Sequence, residues 1–170
     1  VGAENVTARL KSIGIEGMSV NRSCQKLITD FLELRSAAKS REESRAAIFK
    51  FGENPEDEAT ALAMNALLEK IYKKEILDPE SCDLILQIMS KCETGEKRIK
   101  GELPRGTRVA HKTGTIAGTV NDCGIIDLPD GAGHVVLTVM TKDFMDETSD
   151  VEEIIAKIAR FVYDFFYFTM

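Results

Sequence analysis

The sequence predicts an α+β fold: an antiparallel meander of three strands flanked by helices. Three observations carry that prediction. Up to about residue 100, apolar residues recur at helical spacing between capping residues. Between Arg108 and Thr141, apolar and polar residues alternate in three runs separated by turn residues. From Ser149 onward the helical spacing returns, rich in isoleucine and phenylalanine. Helices, then strands, then a helix is the order of an α+β chain rather than an alternating α/β one. The chain accordingly divides into a helical segment over 1–100 and a sheet with its covering helix over 101–170.

The first helix spans Ala3 to Ile13, with Val6, Leu10 and Ile13 on one stripe and Gly14 ending it. A loop over residues 17–23 follows. Ser23 is placed to cap a second helix carrying Leu27, Ile28, Phe31 and Leu32. From Arg35 to Arg45 the chain is polar and reads as a solvated helix or loop. Asn54-Pro55-Glu56-Asp57 signals a further helix start, running to about Tyr72 and burying Leu62, Leu67, Leu68 and Ile71. Asp78-Pro79-Glu80 repeats the signal for a helix burying Leu84, Ile85, Ile88 and Met89, ended near Gly95.

Strands are predicted over 108–115, 122–128 and 134–141. Pro129-Asp130-Gly131-Ala132-Gly133 turns the second into the third. Ser149 and Glu152 form a capping box that opens the last helix, with Ile154, Ile155, Ile158, Val162 and Phe165 against the sheet. Its closing Phe161-to-Phe168 run is expected to be a buried helix end.

Composition narrows the function. Net charge is −6 with no basic run, which argues against a nucleic-acid partner. No apolar stretch reaches the roughly 20 residues of a membrane span. The four cysteines, Cys24, Cys82, Cys92 and Cys123, lack metal-ligand spacing and read as free thiols, with Cys82 and Cys92 on one helix. No cofactor is expected. The chain opens at Val1, inside a predicted helix and without an initiator methionine, as a processed chain or a fragment does.

The chemistry-bearing stretch is Val109-Ala110-His111-Lys112-Thr113-Gly114-Thr115. On a strand Lys112 and Gly114 share one face, and Thr113 and Thr115 the other. At a sheet edge, free N–H groups there could bind an extended carbonyl substrate, with Lys112 attracting a carboxylate and Gly114 leaving clearance.

Lys112-Thr113-Gly114, preceded by Leu103-Pro104-Arg105-Gly106-Thr107 and followed by Asn121-Asp122-Cys123-Gly124-Ile125-Ile126, resembles the C-terminal half of class A serine β-lactamases and their penicillin-recognising relatives. Residues 5–14 and 58–64 fit the same family. The resemblance implies acyl transfer to a serine, on a β-lactam or a related amide or ester. It implies that Lys112, Thr113, Gly114 and Thr115 bind substrate, with the Thr115 N–H as half of an oxyanion hole. It also implies a sheet completed by two strands and a helix preceding these residues, so that the chain is one incomplete β-lactamase-like domain. A periplasmic or secreted location follows from the same resemblance.

The family's Ser-x-x-Lys nucleophile is not expected here. Ser36-Ala37-Ala38-Lys39 and Ser19-Val20-Asn21 spell two family motifs, but in reversed order and among charges. Where class A enzymes carry a deacylating glutamate, the resemblance places Cys24, a candidate catalytic position that a thiol fills poorly as a base. The chain alone is therefore expected to be inactive and to need the missing N-terminal half or self-association. The alternatives are a D-alanyl carboxypeptidase or esterase with slow deacylation, and a non-catalytic binding or assembly domain.

Overall fold

The computed structural model describes residues 2–145 and 147–169. Helix α1 (Ala3–Ser12) leads through Gly14, at φ +76°, into a two-residue strand, β1 (Met18–Ser19). Next come α2 (Cys24–Ser36) and α3 (Arg41–Gly52), capped by Ser23 and Ser40 side chains that accept from Lys26 N and Glu43 N. Strand β2 (Glu58–Ala59) pairs antiparallel with β1. Helices α4 (Ala61–Tyr72) and α5 (Pro79–Ser90) follow, the latter capped by Asp78 with Pro79 in its first turn as expected. The main sheet is β3 (Val109–Ile116), β4 (Thr119–Asp127) and β5 (His134–Val139), antiparallel and in sequence order, and α6 (Thr148–Thr169) closes the chain.

The sheet lies between two layers. Val109, Val120, Ile126, Val135 and Val139 face α6 and pack on Val151, Ile155, Ala159 and Tyr163. Cys123, Ile125 and Val136 face the other way, onto Leu68 of α4 and Leu86 and Met89 of α5. A separate cluster joins Leu10, Ile15, Met18 and Ala63, tying α1 and β1 to α4.

Several expectations are corrected. Asn54 to Asp57 does not start a helix. Asn54 Oδ1 accepts from Glu56 N, and the Asp57 carboxylate turns away to accept from Asn21 N and Arg22 N. The chain is thereby drawn into β2, and α4 starts later, under a cap from Thr60 Oγ1 to Ala63 N. Leu62, then in the first turn, is 80% exposed. On α5 the fully buried position is Cys82, while Leu84 and Ile88 face outward. Cys92 lies just past the end of that helix, and all four cysteines are free.

Strand β4 begins three residues before the predicted position. Ala117 and Gly118, both at positive φ (47° and 74°), make a two-residue turn that hands β3 directly to β4. Helix α6 starts at Thr148, so Ser149 lies inside its first turn rather than capping it, and Glu152 pairs with Arg98 instead. Its sheet-facing stripe is Val151, Ile155, Ala159 and Tyr163, at four-residue intervals. Ile154, Ile158 and Phe165 therefore fall on the opposite side, and the aromatic end is exposed, with Phe161 at 73% and Phe168 at 76%.

Candidate functional site

Strand β3 is an edge of the three-stranded sheet. Asp127 N donates to Arg108 O just outside the ladder. In an antiparallel pair, hydrogen-bonded pairs alternate with open ones. Counting along the register, Ala110, Lys112, Gly114 and Ile116 turn their backbone groups toward β4, while His111, Thr113 and Thr115 turn theirs off the sheet. The N–H groups of Thr113 and Thr115 thus point out of the edge, as a strand that receives an extended carbonyl compound requires.

The side chains add charge to that edge. Lys112 is exposed, and its Nζ donates to the Thr113 carbonyl at 2.5 Å. Thr113 Oγ1 lies 2.6 Å from Thr94 Oγ1, and Thr115 Oγ1 accepts from Arg98 Nη2 at 2.7 Å. A cleft of about 900 Å³ lined by Met64, Thr119, Asn121 and Thr141 reaches the register partner of Gly114, Asn121, without including Lys112 to Thr115 in its walls. That volume holds a small molecule. Lys112 and Gly114 share one face of the strand and Thr113 and Thr115 the other, and on that second face the threonines meet Thr94 and Arg98.

Arg98 is the participant that the sequence concealed. It sits in Glu96-Lys97-Arg98-Ile99-Lys100, which reads as a solvated charge run, yet it is only 6% exposed. Its Nε donates to Glu152 at 3.1 Å and its Nη1 to the Asn121 carbonyl at 2.9 Å. A buried guanidinium needs such partners, and no local pattern announces them. The register neighbour of Lys112, Cys123, has its thiol pushed up to about 11 by burial and by the Asp122 charge, against a smaller opposing effect of Lys112.

The other candidates stand apart. Cys24 occupies the first turn of α2 and is exposed, with no hydrogen bond or ion pair to β3 among the described residues. Ser36 closes α2, exposed, its hydroxyl donating to the Glu33 carbonyl. Ser19 Oγ lies in β1 and accepts from Glu58 N. Among the described residues no cluster of three or more His, Cys, Asp or Glu is placed to hold a metal. No helix there is long and apolar enough to cross a membrane.

A sequence model described as the Beta-lactamase enzyme family matches residues 1–166. β-Lactamase VEB-1 of Pseudomonas aeruginosa is 41% identical over 117 residues, 64% of this chain and 38% of its own length. The extended-spectrum β-lactamase PER-1 of the same organism is 40% identical over 105 residues, 58% of this chain and 34% of its own. The crystal structure of TLA-3 extended-spectrum β-lactamase superposes with a TM-score of 0.76 at 31% identity, covering 98% of this chain and 55% of that one. The matched part thus spans just over a third of these curated relatives and about half of the solved structure.

Proposed function

This chain belongs to the β-lactamase enzyme family, and on that premise we propose that it supplies the substrate-binding strand of a serine β-lactamase-like hydrolase. The reaction is acyl transfer: a serine oxygen bonds to the carbonyl carbon, the amide C–N bond breaks, and the nitrogen takes a proton. On this reading the Thr115 N–H, pointing off the edge of β3, donates to the developing oxyanion, a contribution of about 3–4 kcal/mol per donor. Lys112 and the Thr113 hydroxyl draw in the substrate carboxylate, with the Arg98 guanidinium close by. Gly114 leaves the face beside the cleft open. The observation that carries the reading is the convergence of outward N–H groups, Lys112 and Arg98 on one strand edge.

The serine nucleophile lies outside these residues on this reading, in the same polypeptide or in a separate chain, and the 170 residues form one incomplete β-lactamase-like domain. A periplasmic or secreted location goes with the family. A second reading, slow deacylation as in a carboxypeptidase or esterase, rests on the resemblance, which sets Cys24 where class A enzymes carry their deacylating glutamate.

Benzylpenicillin titrated into the chain is expected to shift the NMR signals of Thr113, Gly114 and Thr115, and Lys112→Ala to weaken that binding by roughly tenfold, the loss of a charge-assisted contact. Intact mass should stay unchanged. Shifts confined to other residues would sink the edge reading. A covalent penicillin adduct would place a nucleophile within the chain, and peptide mapping would assign it to Ser36 or Cys24.

A further inference from the structure

On the sheet face beneath α6, the buried side chains are apolar except at His111 and Asp122. His111 is 0% and Asp122 1% exposed. They sit on neighbouring strands, and His111 Nδ1 lies 3.0 Å from both carboxylate oxygens. The pair fits only because Gly124 stands opposite His111. A Cβ there would meet the His111 Cβ at 2.7 Å and the Ala110 carbonyl at 2.6 Å. Asp122 Oδ2 also accepts from Ile99 N at 3.2 Å. Among the described residues His111 Nε2 has no hydrogen-bond partner.

These contacts fix the tautomer. Nδ1 must carry the proton, because it faces two acceptor oxygens. A proton on Nε2 would leave a buried donor unpaired. An apolar pair of the same volume would hold such a core at least as well. What His111 and Asp122 add is direction. The carboxylate grips the backbone of Ile99, and the preceding residue is Arg98, whose guanidinium reaches Thr115 Oγ1, the Asn121 carbonyl and Glu152.

We propose that His111 and Asp122 are a positioning pair: the imidazole orients the carboxylate, the carboxylate holds Ile99, and the anchored turn presents Arg98 at the Thr113–Thr115 edge. This rests on reading that edge as the binding place of a substrate carboxylate. His111 thereby acts, through Asp122 and the Ile99 turn, on a group that meets the same face of the sheet, although it touches no substrate itself.

The test uses the whole ¹⁵N-labelled chain. Long-range proton–nitrogen correlations should show the His111 ring in the Nδ1–H form, the minor one in free histidine. His111→Leu should speed exchange of the Arg98 Nε–H and weaken benzylpenicillin binding, each by roughly tenfold, as loss of a supporting contact behind a ligand does. His111→Asn, whose amide nitrogen stands where Nδ1 does, should restore both. Should the leucine variant fail to fold, isosteric Asp122→Asn takes its place and should move the ring proton to Nε2. An Nε2–H ring in the unaltered chain, or Arg98 exchange indifferent to both substitutions, overturns the proposal. If the unaltered chain shows no penicillin shift, the edge reading falls, while the Arg98 exchange still decides the positioning role.

Discussion

At the scale of single residues, burial separates groups that the sequence writes alike. The four thiols are one example. Cys24 is exposed, Cys92 half-buried, and Cys82 and Cys123 buried. Only the thiolate reacts, so with its thiol pushed up to about 11 Cys123 stays unreactive until strongly alkaline pH. Iodoacetamide at pH 8 is therefore expected to label Cys24 quickly in the folded chain and to spare Cys123, with all four labelled in denaturant. Rapid Cys123 labelling under native conditions would show that strand β4 opens. Lys112, Thr113, Gly114 and Thr115 could be proposed from the sequence as one candidate edge because they are contiguous on one strand. Arg98 and Thr94 could not, because they meet that strand across 17 and 19 residues of chain, nor could Glu152, which meets Arg98 across 54.

At the scale of elements, capping signals held where no distant partner competed and failed where one did, as at Asn54 and at Ser149 with Glu152. Ser23 and Asp78 cap as their sequence context indicates, and the three strands lie where alternation puts them. The misplaced start of α4 has a long-range cause, the clamp between Arg22 and Asp57. Arg22 Nε reaches Asp57 Oδ2 at 2.5 Å, its Nη1 reaches Asp30 at 3.1 Å, and its guanidinium lies 5.5 Å from the Phe51 ring. The clamp closes the excursion that contains α2 and α3. Burial pushes the Asp57 carboxyl up, but the Arg22 side chain and the N–H groups of Asn21 and Arg22 outweigh it and hold the carboxyl below its usual range. A depressed folded value means stabilisation that is complete above the ordinary aspartate value of about 3.9 and lost as pH falls through the lower one. Asp57→Asn should thus destabilise the chain at pH 7 by about 1.5–3 kcal/mol, the worth of hydrogen bonds to a charged group. The difference should close in acid. Denaturant melts at both pH values check it, and an equal gap at pH 7 and pH 2 would remove Asp57 from the account.

At the scale of the whole molecule, α6 is apolar on two sides, and only one of them meets the sheet. Its outward residues Ile154, Ile158, Phe161, Phe165 and Phe168 are all exposed and spaced by four and three in alternation. An apolar stripe of that spacing is the kind a partner covers, and a periodicity reading that assumed a single buried face merged the two sides, taking Ile154, Ile158 and Phe165 together with the buried Ile155 and half-buried Val162. The 170-residue chain is expected to bind a hydrophobic dye and to sediment above its monomer mass. Phe161→Glu with Phe165→Lys should reduce both, and a monodisperse, dye-silent unaltered chain would refute the expectation. The inward side of the same helix has a consequence for biosynthesis. Residues 99–139 leave the ribosome before α6 does, and at about 5–20 residues per second the 30 residues from Val139 to Thr169 take roughly 2–6 s to add. Any sheet formed before α6 packs has no lid, leaves His111 and Asp122 uncovered, and leaves Arg98 without Glu152. The nascent chain thus passes through a brief window in which its sheet is open to chaperones and to neighbouring chains, and translation speed over α6 sets how long that window lasts.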